Sequence, residues 1–174
     1  MQHSLNSELV VRKINPMEIY NFCGILFQAS HSFAENEEPL WDYDQIAPHA
    51  ILGKYRLNEL YLGFIDDIPV SAMILHHNRS SSYKDFLAVD KLAVLRTYSG
   101  QNLCLAMLNW ANQFALQNHY QNLALNCECE HPRLAEHLSQ FGFEEAKNLD
   151  FLSSRVFVQA VTEGQATQSL SLAL

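Results

Sequence analysis

The sequence predicts a mixed α/β fold: a mixed sheet covered by helices. Three observations predict it. Strand-like runs and stretches of helical periodicity interleave along the chain in the order β, α, α, β, β, β, α, β, α, β, β. Two apolar runs flank Asp66-Asp67 and read as a hairpin. A strand, turn, helix and strand from Asp85 to Glu128 read as a right-handed parallel crossover.

Each element has its own warrant. "ELVVRKIN" is a first strand. In "NPMEIYNFCGILFQASHSF", Asn15 can cap a helix, Pro16 suits its first position and Glu18 can close a capping box. Ile19, Phe22, Leu26 and Ala29 then form one apolar face. A shorter helical region is expected from about Asp42 to Tyr55, after the acidic run "ENEEPLWDYD". "NELYLGFIDDIPVSAMIL" is the hairpin, with Pro69 near the start of its second strand. "DFLAVDKLAVL" is the next strand. The following helix repeats Leu103, Met107, Trp110 and Phe114 on one face. "NLALNCE" is a strand, "HPRLAEHLSQF" a helix stopped by Gly142, and "GFEEAKNLDFLSSRVFVQAV" a closing strand pair. No internal repeat is present, so residues 1–162 read as one domain and 163–174 as a polar tail.

Composition narrows the function. With 174 residues the chain is long enough for a hydrophobic core without metals or disulfides. Its formal charge of −8 argues against a nucleic-acid partner and is compatible with a cationic small molecule or peptide. No run reaches the ~18 apolar residues of a membrane span, and "MQHSLNSELVVRKIN" lacks an apolar core with a cleavage site. Cys23, Cys104, Cys127 and Cys129 are read as reduced thiols, and a cytoplasmic location is expected. Cys127 and Cys129 have no second pair at zinc-binding spacing and read as core residues. Alternation sends the rings of His76 and His77 to opposite faces of a strand, which argues against a joint metal site, and no metal is expected.

The stretch "KLAVLRTYSGQNLCLAMLNWA" stands out, because a strand feeding a turn and a helix N-terminus is a common way to hold a phosphate. Its turn has a single glycine, Gly100. This stretch resembles the GNAT superfamily of N-acetyltransferases, whose pattern is a Leu-Ala-Val strand, a Tyr-Arg-Gly-x-Gly-x-Gly loop and a long helix. "NLALNCE" is similar to the family's fifth strand, and "LAEHLSQFGFEE" to its Phe-Tyr-x-x-x-Gly-Phe signature. The resemblance runs from about Leu9 to Val161.

The resemblance implies a GNAT-like acyl-CoA N-acyltransferase fold, a central, mostly antiparallel sheet with one parallel crossover and helices on both faces, whose co-substrate is acetyl-CoA. It implies that the pantetheine pairs with the strand backbone at Leu92, Ala93 and Val94. The pyrophosphate would sit on the loop and helix start at Ser99, Gly100, Gln101, Asn102, Leu103 and Cys104. In this alignment the family's loop arginine falls on Ser99 and two signature glycines fall on Asn102 and Cys104. Backbone amides do most of the phosphate binding, and Asn is the best non-glycine residue for a left-handed backbone. The signature tyrosine, a proton donor in many members, is Leu138 here, and neighbouring His137 is turned about 100° away on the helix.

For a base, Asp90 lies mid-strand two residues before Leu92, hence on the same face by alternation. The family often uses an acidic residue of this strand to deprotonate the amine. The alternative is a carboxylate open to solvent or paired with a basic side chain. Glu128, past the fifth strand, is the second candidate. His131 falls where the family often has an asparagine that contacts coenzyme or substrate. The segment "HSFAENEEPLWDYDQ" sets carboxylates beside Phe33, Trp41 and Tyr43, which suits a cationic amine or else a solvated turn anchored by Trp41. Two functions follow: acetyl-CoA-dependent N-acetyltransfer to a primary amine of a small molecule or peptide, or a non-catalytic acyl-CoA-binding or protein-interaction module. Family members often pair through their C-terminal strands, so a homodimer is also expected.

Overall fold

The computed structural model describes residues 8–33, 39–77, 86–127, 136, 138–146 and 155–162. Its strands are β1 (Val10–Lys13), β2 (Leu60–Ile65), β3 (Ile68–His77), β4 (Phe86–Val94), β5 (Asn122–Cys127), β6 (Glu144–Glu145) and β7 (Arg155–Ala160). They form one sheet in the order β1-β2-β3-β4-β5-β7-β6. The β1–β2, β2–β3, β5–β7 and β6–β7 pairs are antiparallel, and β4–β5 is parallel. The predicted mixed sheet and its parallel crossover are therefore present. Among the described residues no helix is long and apolar enough to cross a membrane.

The chain divides into two compact units. The first comprises Met1–Ile74 and Lys91–Ala106. Its core joins α1 (Ile19–Phe33) to β2 and β3 through Phe22, Leu26, Leu60, Leu62 and Ile74, all buried. The start of α1 follows the sequence. Met17 N–H donates to Asn15 Oδ1, and Asn15 N–H donates to Glu18 Oε2, around a 3₁₀ turn at Pro16–Glu18. The helical region expected from Asp42 to Tyr55 is instead two helices, α2 (Tyr43–Ile46) and α3 (Pro48–Lys54). Pro48 is the cause: it forces Ala47 into an extended conformation, with φ −63° and ψ 151°.

Asp66 and Asp67 both lie at positive φ (50° and 62°), as a two-residue hairpin turn between β2 and β3 requires. The ladder shifts a few residues later. Gly63 pairs with Ser71 but Phe64 with Pro69, leaving Val70 as an extra residue on β3. Val70's carbonyl accepts a hydrogen bond from Leu95 N–H at 2.9 Å.

The second unit comprises Leu75–Asp90 and Met107–Leu174. Its core includes Leu87, Val89, Leu123, Leu125, Val156 and Phe157. In α4 (Leu103–Gln117) only the first half of the expected face, Leu103 and Met107, is buried. Met107, Leu108, Ala111 and Ala115 are buried, whereas Trp110 and Phe114 are half-buried and stacked on each other with centroids 5.5 Å apart. Small residues let a helix approach its neighbours closely, and the bulky rings are left to flank the contact. The last helix ends as predicted. Gly142 lies at φ 85°, Phe143 N–H bonds the Leu138 carbonyl and Gly142 N–H bonds the Ser139 carbonyl, a Schellman end.

Candidate active site

The residues expected to hold a coenzyme run from the end of β4 to the start of α4. Leu92 and Val94 are half-buried and Ala93 is buried. A 3₁₀ turn at Arg96–Tyr98 follows, and Ser99 N–H closes it on the Arg96 carbonyl at 3.0 Å. Gly100 then takes φ 81° and Asn102 φ 56°. Ala106 N–H donates to the Asn102 carbonyl, so the helix begins there. Ser99, Gly100, Gln101, Asn102 and Cys104 are exposed, and Leu103 is the buried anchor. Amides of a helix's first turn have no acceptor within the helix. A Cβ added to Gly100 would meet no atom within 4 Å, so the space beside the loop is open. Arg96 is the segment's one basic residue, three positions before Ser99.

Asp90 has close polar partners and is mostly desolvated. His76 Nε2 lies 2.9 Å from its Oδ2, and Asn126 Nδ2 donates to its Oδ1 at 2.6 Å. The side chains of His76 and Asp90 are 19% and 12% exposed. Three strands supply this cluster: β3 gives His76, β4 Asp90 and β5 Asn126. Backbone pairing of β4 with β5 runs from Phe86↔Asn122 to Val89↔Leu125, and Asp90 and Asn126 are the next residue on each strand. The His76 ring thus points to Asp90, whereas the His77 ring lies 5.7 Å from that of Tyr120. Among the described residues, no three His, Cys, Asp or Glu side chains gather as a metal site.

Lys91 lies at φ 46° inside β4, so the strict alternation from which Asp90 and Leu92 were expected to share a face is interrupted between them. Of the two readings of the Trp41 segment, the structure favours the turn anchored by Trp41, whose ring centroid lies 5.1 Å from Lys91 Nζ. Trp41 packs against the core, and its backbone N–H and carbonyl both bond Ser30 Oγ at 3.0 Å. Tyr43 is exposed and meets Phe27 edge-on. Glu128, His131, His137, Cys129, the acidic residues Glu35, Glu37 and Glu38, and the tail 163–174 lie outside the described residues. Leu138, in the place of the signature tyrosine, is buried at 4% exposure.

Sequence reasoning missed His76 and Asn126. The first was visible as one of two histidines closing a strand, but which strand position would face Asp90 depends on register. Asn126 lies inside "NLALNC", where a polar residue between apolar ones marks an unusual strand position.

No protein-family model matches the sequence, and no curated protein matches it. Solved structures do. A GNAT-family acetyltransferase from Listeria monocytogenes superposes with a TM-score of 0.71, covering 90% of this chain and 96% of that one at 16% identity. The PaiA N-acetyltransferase of Thermoplasma acidophilum, solved with coenzyme A, gives 0.69, covering 88% and 99% at 10% identity. N-acetylglutamate synthase from Neisseria gonorrhoeae, solved with coenzyme A and N-acetyl-glutamate, gives 0.68, covering 90% of this chain and 36% of that one at 12% identity.

The chain has the GNAT fold.

Within the GNAT fold, the three motifs of the resemblance fall on the elements expected of them. "KLAV" closes β4, the turn after it opens α4, "NLALNC" is β5, and Gly142-Phe143 ends the last helix before β6. This GNAT fold departs from the family pattern in its loop glycines and in Leu138, and it carries the His76–Asp90–Asn126 cluster.

Proposed function

We propose that this protein is an acetyl-CoA-dependent N-acetyltransferase acting on a primary amine of a small molecule or peptide. The observation that carries the reading is the backbone of the loop. Gly100 and Asn102 hold left-handed conformations at φ 81° and 56°, so the geometry that glycines usually supply persists with Asn in place of one of them. Leu92, Ala93 and Val94 would bind the pantetheine through backbone groups. Ser99, Gly100, Gln101, Asn102, Leu103 and Cys104 would offer amides to the pyrophosphate at the positive end of α4. Acetyl-CoA would supply the activated thioester. Two neighbours of this fold were solved with coenzyme A, which supports the same co-substrate here.

Asp90 is the proton-handling group of this reading, Glu128 is the second candidate base, and His131 is a candidate contact to coenzyme or substrate. Calorimetric titration with acetyl-CoA, with coenzyme A as comparison, tests the reading. Micromolar binding followed by turnover in an amine screen is the expected result; no binding up to millimolar concentration would sink it.

One observation favours the second reading, a non-catalytic acyl-CoA-binding module: buried Leu138 cannot donate a proton to a thiolate. That reading predicts tight acetyl-CoA binding without turnover of any amine.

A further inference from the structure

α1 carries two apolar faces. One is the core face of Phe22 and Leu26. The other runs along its outer side, where Tyr20, Gly24, Phe27 and His31 recur at spacings of 4, 3 and 4, with Met17 one turn earlier. Met17 is 85% exposed, Tyr20 75% and Phe27 39%. The stripe continues onto α2. Tyr43, 63% exposed, meets Phe27 edge-on with ring centroids 6.2 Å apart. On its other side Phe27 has the His31 ring at 4.1 Å, and His31 Nδ1 donates to the Phe27 carbonyl oxygen at 3.3 Å. Scattered exposed apolar side chains need no explanation, whereas a set that shares one face marks an interaction surface.

Gly24 adds an independent observation. A glycine inside a helix lowers its stability relative to alanine. Packing does not require one here, because a Cβ added at Gly24 would meet no neighbouring atom within 4 Å. The missing side chain instead leaves a dip in the stripe, one turn from Tyr20 and one turn from Phe27.

Charge decides what fits. Asp42 and Asp44 flank Tyr43 and both are exposed, in a chain whose formal charge is −8. Aromatic faces attract a cation through the ring quadrupole, and the neighbouring carboxylates strengthen that attraction. The same carboxylates oppose an anionic membrane surface and a second copy of this acidic chain. Among cations, the planar and weakly hydrated guanidinium is the one that both stacks on a ring and bonds a carboxylate.

We propose that the outer face of α1, together with Tyr43, docks an arginine-bearing segment of a partner protein. Guanidinium groups stack on Tyr20 and Tyr43 and bond Asp42 and Asp44, and an aliphatic arginine stem fills the dip at Gly24. The surface shares no residue with the 92–104 segment or with the Asp90 cluster, and docking needs no turnover. It therefore stands or falls separately from the acetyltransferase reading.

The probe is a blocked octapeptide of alternating arginine and serine, titrated into the nitrogen-15-labelled full chain and followed by NMR. Shifts are expected at Tyr20, Gly24, Phe27 and Asp42–Asp44. Tyr20→Ala/Tyr43→Ala removes two exposed rings and no charge, and is expected to weaken binding roughly tenfold. Gly24→Leu fills the dip with a better helix former, and is expected to weaken binding by a similar factor while the melting temperature holds or rises. Unchanged affinity in either variant means that charge alone attracts the peptide, and overturns the docking site. Shifts spread over other faces, or none up to millimolar peptide, do the same. A dimer of the free chain in sedimentation that the double tyrosine variant dissolves overturns it in favour of a second copy.

Discussion

Asp90 accepts a 2.6 Å hydrogen bond from Asn126 at the point where β4 and β5 stop pairing through their backbones. A side-chain bond takes over from the ladder, and it fixes a carboxylate whose other oxygen meets His76 at 2.9 Å. The proposed proton handling and the strand geometry therefore meet in one residue.

Separating the two is the first use of mutagenesis. Asp90→Asn preserves shape and removes charge, and is expected to lower turnover by roughly 100-fold while calorimetry shows unchanged acetyl-CoA affinity. Asp90→Ala leaves half-buried His76 and Asn126 without this acceptor and is expected to lower the denaturant-unfolding free energy by about 1–3 kcal/mol as well. Equal turnover in Asp90→Asn and wild type would remove the carboxylate from the chemistry.

The loop makes a second prediction. Gly100 lies at φ 81° with open space around it, so Gly100→Ala meets no clash and carries a backbone penalty of about 1–2 kcal/mol. Asn102→Gly, at φ 56°, is expected to relax the loop and leave acetyl-CoA affinity equal or better. A tenfold loss of affinity there would assign binding to the Asn102 side chain and not to the amides.

Acid sensitivity has a defined source at the start of α1. Arg12 grips Glu18 with bonds of 2.9 and 2.7 Å, and this bonding, offset in part by desolvation and helped by the Asn15 amide, holds the carboxyl at about 2 against an ordinary 4.5. A depressed carboxylate stabilises the fold above the unfolded value, and that contribution is lost as pH falls from about 4.5 through about 2. Arg12 is 47% exposed, so screening limits the contribution to about 1 kcal/mol or less. Thermal melts across that window are expected to show a smaller decline for Glu18→Gln, which keeps a neutral capping acceptor. An unchanged acid limb would locate the sensitivity elsewhere.

Restoring the family's tyrosine is expected to fail. Leu138 is buried beside the Schellman end, so Leu138→Tyr overpacks the site and lowers stability by about 1–3 kcal/mol without raising turnover. Faster turnover by direct assay would show that this position reaches the thioester after all.

What could be read from the chain was local. Asn15, Pro16 and Glu18 start a helix, Asp66-Asp67 turn a hairpin, and Asn102 tolerates a left-handed backbone, because each effect is decided within a few residues. The break between α2 and α3 was equally local, and Pro48 was its visible signal. The left-handed Lys91 had no such signal: in "LAVDKLAV" nothing marks which residue yields. His76 meets Asp90 and Lys91 covers Trp41 through the register of separate elements, which no single stretch encodes. The second half of the buried face of α4 was misjudged for a related reason. Hydrophobicity favoured Trp110 and Phe114, whereas close packing favoured alanines.

The extra residue in β3 has a practical side. Val70 spends its carbonyl on Leu95, so the chain entering the 96–102 turn is tied to the hairpin's tip region, two residues from half-exposed Ile68. A fluorophore on Ile68 would stand close along the chain to the strand that is tied to the 96–102 turn. If acetyl-CoA binds that turn as proposed, its arrival could be watched in real time from this exposed hairpin position.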